Sequence, residues 1–107
     1  QREWEEARKR VYEQAQRLAK LLLNHVGLEM VGVEIPRKYT SLNIRGRNNY
    51  VSALMMVNAE FNKRLGKPRN DATTEDFKLL QENLDDILQK LSRRLYKAKS
   101  DYEGSSS

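Results

Sequence analysis

Only a few residues in this sequence have side chains that could perform catalysis or bind a metal. His25 is the single histidine and there is no cysteine, so histidine-rich metal sites and cysteine nucleophiles are excluded. Asp85 and Asp86 are adjacent, and adjacent residues on a helix do not face each other, so they do not form a carboxylate pair. Glu82 and Asp86 could share a cation, but such acids on a helix surface are usually solvated. We therefore expect no enzymatic activity, no metal and no cofactor.

Positive charge is concentrated in the middle of the chain. Residues 37–69 hold eight basic side chains against one acid, Glu60, whereas residues 1–36 balance six against six and residues 70–107 hold six against eight. Segment 37–69 therefore carries +7, more than the net charge of +5 of the whole chain. Such an uneven distribution indicates an acidic partner, which can be a protein or a nucleic acid.

The first amphipathic pattern predicts a helix from about Glu3 to His25, with Gly27 as its left-handed stop. The next twenty residues, 28–47, have no helical period. Alternating apolar residues before Pro36 are typical of a short strand, and Leu42 and Ile44 repeat the alternation weakly. Two isolated strands are only marginally stable in water. We therefore predict an extended, partly packed connection. A small hairpin or a single helical turn within it is also compatible with the pattern. Its predicted anchors on the helices are Val33, Ile35, Leu42 and Ile44.

A second amphipathic pattern follows this connection. Asn48 or Asn49 is a suitable N-cap, and the apolar residues recur at helical spacing as far as Leu65. Gly66 provides a left-handed stop and Pro68 prevents continuation. The sequence therefore predicts a second helix from about residue 49 to residue 65.

The third helix is predicted to begin at Thr74, because Thr73 followed by Asp76 is close to a capping box. Its apolar residues recur regularly as far as Ala98, and acids at its start with bases at its end suit the helix dipole. Three amphipathic helices must bury their apolar faces against one another, which predicts an all-α three-helix bundle. The predicted core residues include Leu18, Leu54, Phe61, Leu84, Ile87 and Leu91.

The length of the chain indicates one domain. We predict a single helical bundle over residues 1–100 and a disordered tail over residues 101–107. Apolar runs are far shorter than the roughly 20 residues that a membrane-spanning helix needs, so we expect no membrane partner. The lack of cysteine suits a reducing compartment, and we expect an intracellular location, nuclear rather than cytoplasmic. The sequence favours no particular oligomeric state.

The third helical pattern resembles the last helix of KIX domains, which are three-helix modules of transcriptional coactivators that bind activation-domain helices. The resemblance covers about half the chain, and the residues that carry it are 75–82 (EDFKLLQE), Leu84, Ile87 and Leu91, with Tyr50, Val51 and Val57 loosely similar. It implies a helix-binding adaptor. The long first connection and the seven-residue second one, 66–72, depart from the compact pattern of that family, so we do not assign the chain to it.

We predict a non-catalytic protein–protein interaction module, an adaptor or scaffold within a larger nuclear or cytoplasmic protein, that binds an acidic or amphipathic helix. The alternative is a nucleic-acid-binding domain that contacts phosphates through the basic segment, with Tyr39 stacking on a base. A solvated basic surface without a partner is the remaining interpretation. Against the alternative, no motif for entering a nucleic-acid groove is recognised. Both functions would use the same residues, which are Arg37, Lys38, Tyr39, Leu42, Ile44, Arg45, Arg47, Lys63, Arg64, Lys67 and Arg69.

Overall fold

The structure is a computed structural model that describes the backbone of residues 2–32, 48–68 and 71–105, and within those ranges the side chains of residues 5–97. Its helices are α1 (Arg2–Val26), α2 (Asn49–Leu65), α3 (Thr74–Glu82) and α4 (Leu84–Ser105). The all-α class is confirmed for this part of the chain, in which no strand occurs. The described residues form four helices rather than three, because the predicted third helix is divided in two.

α1 is the central helix, since it makes the most extensive contacts with each of α2, α3 and α4. It ends in the predicted left-handed turn, with Gly27 at a φ of 74°. The amide of Gly27 donates to the carbonyl of Asn24 (3.3 Å), and the amide of Leu28 donates to the carbonyl of Leu23 (2.9 Å). These are the two hydrogen bonds of a Schellman motif, and Leu23 and Leu28 are both buried in the same core, as that motif favours.

The chain that leaves α1 pairs with the start of α2. Asn48, one of the two predicted N-caps, accepts a hydrogen bond from the α2 backbone through its side chain. The amides of Asn49 and Tyr50, which have no partner within the helix, donate to the carbonyls of Gly32 (2.6 Å) and Met30 (3.1 Å). We call this pairing of residues 30 and 32 with residues 49 and 50 the neck. Residues 33–47 lie outside the described part, as do the predicted anchors Val33, Ile35, Leu42 and Ile44.

α2 buries a face that includes polar residues as well as apolar ones. The predicted core residue Leu54 is only partly buried, whereas Asn49, Ser52 and Glu60 are buried beside apolar neighbours such as Phe61. A polar side chain can be buried when it has a partner, and the side-chain amide of Asn49 donates to a backbone carbonyl of the preceding segment (2.8 Å). The buried face was therefore not readable from apolar spacing alone.

Two short hydrogen-bond patterns fix where α2 ends and α3 begins. Gly66 has a φ of 69°, and its amide donates to the carbonyl of Asn62 (2.9 Å), so the predicted stop is confirmed. The predicted capping box is confirmed as well. The hydroxyl of Thr73 accepts from the amide of Asp76 (3.2 Å), and a carboxylate oxygen of Asp76 accepts from the amide of Thr73 (2.9 Å).

Asn83 divides the predicted third helix, so the expectation of one continuous helix is wrong. Its backbone amide donates to the carbonyl of Leu80 (3.1 Å), three residues back, at a φ of −104° and a ψ of 7°. Its side-chain Nδ2 donates to the carbonyl of Leu79 (2.7 Å), which a continuous helix would pair with the backbone amide of Asn83. The asparagine side chain thus replaces its own backbone as the donor, a competition that favours a break.

The core lies where α1 meets the other three helices. Of the six predicted core residues, four are buried (Leu18, Phe61, Ile87 and Leu91), while Leu54 and Leu84 are partly buried against them. α4 continues beyond residue 100, where the apolar pattern ends, as far as Ser105. The molecule is elongated, with extents of 52 × 27 × 21 Å, since α1 alone is about 37 Å long.

Candidate functional site

Three of the eleven predicted partner-binding residues lie in the described part of the chain. Lys63 and Arg64 occupy the last turn of α2, and Lys67 follows Gly66. Lys63 is exposed, whereas Arg64 and Lys67 are partly buried. The other eight lie outside the described residues and stay predictions, and they are Arg37, Lys38, Tyr39, Leu42, Ile44, Arg45, Arg47 and Arg69.

Arg64 is held by two acids of the domain itself. Its Nε donates to Oε2 of Glu60 (2.8 Å), one turn back on α2, and its Nη2 donates to Oδ2 of Asp86 (2.7 Å) on α4. The Glu60 carboxylate also accepts from Nζ of Lys90, at 3.1 Å through Oε1 and 3.2 Å through Oε2. The guanidinium of Arg64 therefore links α2 to α4 instead of projecting freely towards a partner.

Glu60 is the acid at the centre of this network, and its side chain is only 4% exposed. Burial by itself raises the pKa of Glu60, but the hydrogen bonds and charges of Arg64 and Lys90 outweigh that effect, so the pKa lies below its usual value of 4.5. The carboxylate is accordingly ionised at neutral pH. In the sequence Glu60 stands out only as the single acid of segment 37–69, and its spacing to Arg64 is the one signal of the network.

Lys67 is paired with the capping acid of α3. Its Nζ lies 2.6 Å from Oδ2 of Asp76. Burial alone raises the pKa of Asp76, but hydrogen bonds from Lys67 and Thr73 outweigh it and hold the pKa below its usual value of 3.8. Two of the three described candidate cations thus neutralise acids of the same chain. An external phosphate or carboxylate would have to compete with those acids.

A groove with a volume of about 280 Å³ lies between α1 and the pair α3 and α4. On the α1 side, Leu18 lies at depth, being 4% exposed, whereas Leu21 is 51% exposed at the edge. On the opposite side, Phe77 of α3 is partly buried, as are Leu84 and Leu88 of α4. The groove therefore crosses the break at residue 83 and presents apolar side chains from three helices.

Polar residues border this groove and one lies within it. Arg17 on α1 and Asp85 on α4 are exposed, and Gln81 on α3 is exposed beside them. Gln14 lines the same groove but is only 6% exposed. Its side-chain oxygen, Oε1, is buried without a hydrogen-bond partner among the residues that the structure describes. A buried acceptor without a donor costs about 1–3 kcal/mol, so this atom is an unfavourable feature of the free domain.

The groove was not predicted from the sequence, although two residues of α1 point to it. Leu21 widens the apolar stripe beyond the face that Leu18 and Leu22 use to form the core. Gln14 lies beside the same stripe, three residues after Val11 and four before Leu18, and is itself buried. A stripe that is too wide and has one polar residue beside it indicates a second apolar contact, but only the positions of α3 and α4 reveal where that contact lies.

Comparison with known proteins gives no relative for this chain. No family model, no curated protein and no solved structure matches it. The resemblance to KIX domains therefore rests only on the residues that carry it.

Neither a membrane segment nor a metal cluster emerges from the described helices. None of them contains an apolar stretch of the length that crossing a bilayer requires. Over residues 2–32, 48–68 and 71–105, no three acidic or histidine side chains come together as potential metal ligands. His25 is exposed at the end of α1, where its backbone carbonyl accepts a hydrogen bond from the Tyr96 hydroxyl (3.3 Å).

Proposed function

We propose that this domain is a non-catalytic interaction module, an adaptor or scaffold, that binds an amphipathic helix of another protein in the groove between α1 and the pair α3 and α4. The observation that carries the proposal is the apolar lining of that groove, with Leu21 left half exposed beside the partly buried Phe77, Leu84 and Leu88. The helix-in-groove mode needs such an apolar channel between helices. As part of the same proposal, the module acts within the cell, in the nucleus rather than the cytoplasm.

The groove has room for a few side chains of a partner. Its volume of about 280 Å³ is at the lower limit of the roughly 300–1,000 Å³ that is usual for small-molecule sites. From Gln14 to Leu21 the α1 side extends about 10 Å, or two helical turns. A partner helix would therefore insert apolar side chains spaced three or four residues apart, over about two of its turns.

The charges that border the groove favour a partner whose two flanks differ in sign. Arg17 stands on the α1 side and Asp85 on the α4 side, and both are exposed. An acid on the flank of the partner that faces α1 and a base on the flank that faces α4 would complement them. Such complementarity adds little affinity at an exposed rim, but it fixes which way the helix lies in the groove.

A display library of amphipathic helical peptides, selected for binding to the folded domain, tests this proposal. Leu21→Arg places a charge in the groove, whereas Leu79→Arg makes the same change at an apolar residue of α3 that is 44% exposed and does not line the groove. Peptides selected on the wild type should bind Leu21→Arg about tenfold or more weakly and Leu79→Arg nearly unchanged. Equal binding to both variants would show that the peptides do not occupy the groove, and would contradict the proposal.

Nucleic-acid binding through segment 37–69 is the alternative outcome, and salt dependence separates it. Each phosphate contact that is lost should lower the slope of log affinity against log salt by about one. Lys63→Ala should lower that slope more than Lys67→Ala, because Lys67 already pairs with Asp76. Two results together would favour the alternative. The first is tight, steeply salt-dependent binding of a generic oligonucleotide, and the second is the loss of that binding when four residues are replaced with Ala, namely Arg37, Lys38, Arg45 and Arg47.

A further inference from the structure

We propose that Gln14 makes the groove selective for a partner helix that carries one neutral hydrogen-bond donor on its apolar face. This inference rests on the proposed function, since it names the kind of helix that the groove would take. Gln14 is 6% exposed and lines the groove, and its Oε1 has no hydrogen-bond partner within the described part of the chain. In the free domain Oε1 is buried, so a bound helix satisfies the atom when the Gln14 side chain turns and presents Oε1 to a donor in the groove.

The chemistry of the amide oxygen defines the donor. Oε1 of Gln14 can only accept, so the partner must donate. Leu18, Phe77 and Leu84 have no side-chain donor to offer. Arg17 and Gln81 line the same groove and carry donors, but neither donates to Oε1. An ammonium group would lose most of its hydration among the apolar side chains, which is far more costly than desolvating a hydroxyl, an amide or an indole N–H. The side chain expected on the partner is therefore serine, threonine, asparagine, glutamine, tyrosine or tryptophan.

Gln14 allows the groove to discriminate between partner helices, because it favours a helix whose apolar face carries one polar group. A helix with leucine at every anchor position would leave Oε1 of Gln14 without a donor, as it is in the free domain, whereas a helix with one donor would gain a hydrogen bond. The difference between the two helices is about tenfold in affinity, which is the equivalent of one typical hydrogen bond. The groove would thus prefer a helix with one donor to the common all-apolar helices that its other lining residues would accept.

The test uses displayed helical peptides with leucine at the anchor positions and one anchor randomised at a time. Selection is carried out on the wild type, on Gln14→Leu and on Gln81→Leu, a matched control in which the same change is made at an exposed residue of the same groove. Wild type and Gln81→Leu should enrich donor side chains at one anchor. Gln14→Leu should enrich aliphatic side chains there, and the roughly tenfold preference for the donor peptide should disappear.

The possible results separate this inference from the function on which it rests. Peptides whose binding is lost in Leu21→Arg but which show no donor preference would overturn the role of Gln14 and leave the proposed function standing. If no selected peptide depended on Leu21, both would be overturned. The stability of the free domain is a second measurement, because Gln14→Leu removes the unpaired oxygen and should raise the denaturation midpoint. A lower midpoint would show that Oε1 has a partner within the fold, and would overturn the inference.

Discussion

Replacing Glu60 with glutamine should destabilise the domain by about 2 kcal/mol. Glutamine keeps the size of the side chain but replaces one carboxylate oxygen with an NH2 group, so either Arg64 or Lys90 would face a donor. Breaking a fully buried ion pair costs about 3–5 kcal/mol. Arg64 and Lys90 are 25% and 37% exposed, so water can partly solvate them, and the cost falls towards the roughly 1.5–3 kcal/mol of a charged hydrogen bond.

Urea denaturation and thermal unfolding, followed by circular dichroism at neutral pH, measure this effect. For a domain of about this size, a loss of 2 kcal/mol corresponds to a fall in Tm of roughly 8–16 °C. Asp86→Asn is the matched control, since Asp86 binds the same Arg64 (2.7 Å) but is 66% exposed, and should cost less than about 1 kcal/mol. Equal small losses for the two variants would refute the argument that burial makes Glu60 the important partner.

The same variant has a defined pH dependence. Because the pKa of Glu60 is lower in the folded state than its usual 4.5, the contribution of the carboxylate is complete above about pH 4.5. It is lost as the pH falls through the folded-state pKa, since both states are then protonated. The stability difference between wild type and Glu60→Gln should therefore shrink when the pH is lowered below about 4.5. A difference that stays constant from neutral pH to pH 3 would contradict the assigned ionisation.

Three further predictions concern the helix boundaries and the core. Thr73→Ala should cost about 0.5–2 kcal/mol in urea denaturation, whereas Thr74→Ala should be nearly neutral, and the reverse order would move the start of α3 by one residue. Asn83→Ala should join α3 and α4, which 13Cα chemical shifts of residues 80–86 would show, and shifts that still mark a break would contradict the role of the Asn83 side chain. Leu91→Ala should cost about 2–5 kcal/mol, and Leu84→Ala less because it is only partly buried, so equal costs would contradict the observed burial.

The helix ends could be predicted from the sequence because their causes are local. Gly27 and Gly66 have positive φ angles, which glycine adopts without steric strain, and Thr73 with Asp76 forms its two hydrogen bonds within four residues. The apolar spacing of α1 and α4 likewise identified buried residues such as Leu18 and Leu91. Each of these features depends on neighbours in sequence, so no tertiary information was needed.

The features that could not be predicted have two kinds of cause. Some depend on competition between a side chain and the backbone for a hydrogen bond, and others depend on residues that are distant in sequence. The break at Asn83 results from a side chain that takes the place of its own backbone amide, and helical periodicity does not record this. The burial of Glu60 depends on Lys90, thirty residues away, so its position in α2 alone indicates a solvated acid. The groove forms only where Leu21 meets residues of α3 and α4. Segment 37–69 was identified by charge, but charge does not reveal that Arg64 and Lys67 bind acids of the same chain.

The neck has a consequence for how such a domain can diverge. The stretch 33–47 begins and ends next to the neck. There, residues 30 and 32 are hydrogen-bonded to residues 50 and 49 through backbone atoms alone. Residues 33–47 supply none of these hydrogen bonds. Closing a longer loop costs only about 0.6 kcal/mol for each doubling of its length. A longer stretch between residues 33 and 47 should therefore leave the backbone pairing of the neck intact, so the length of this stretch can change while the start of α2 is preserved.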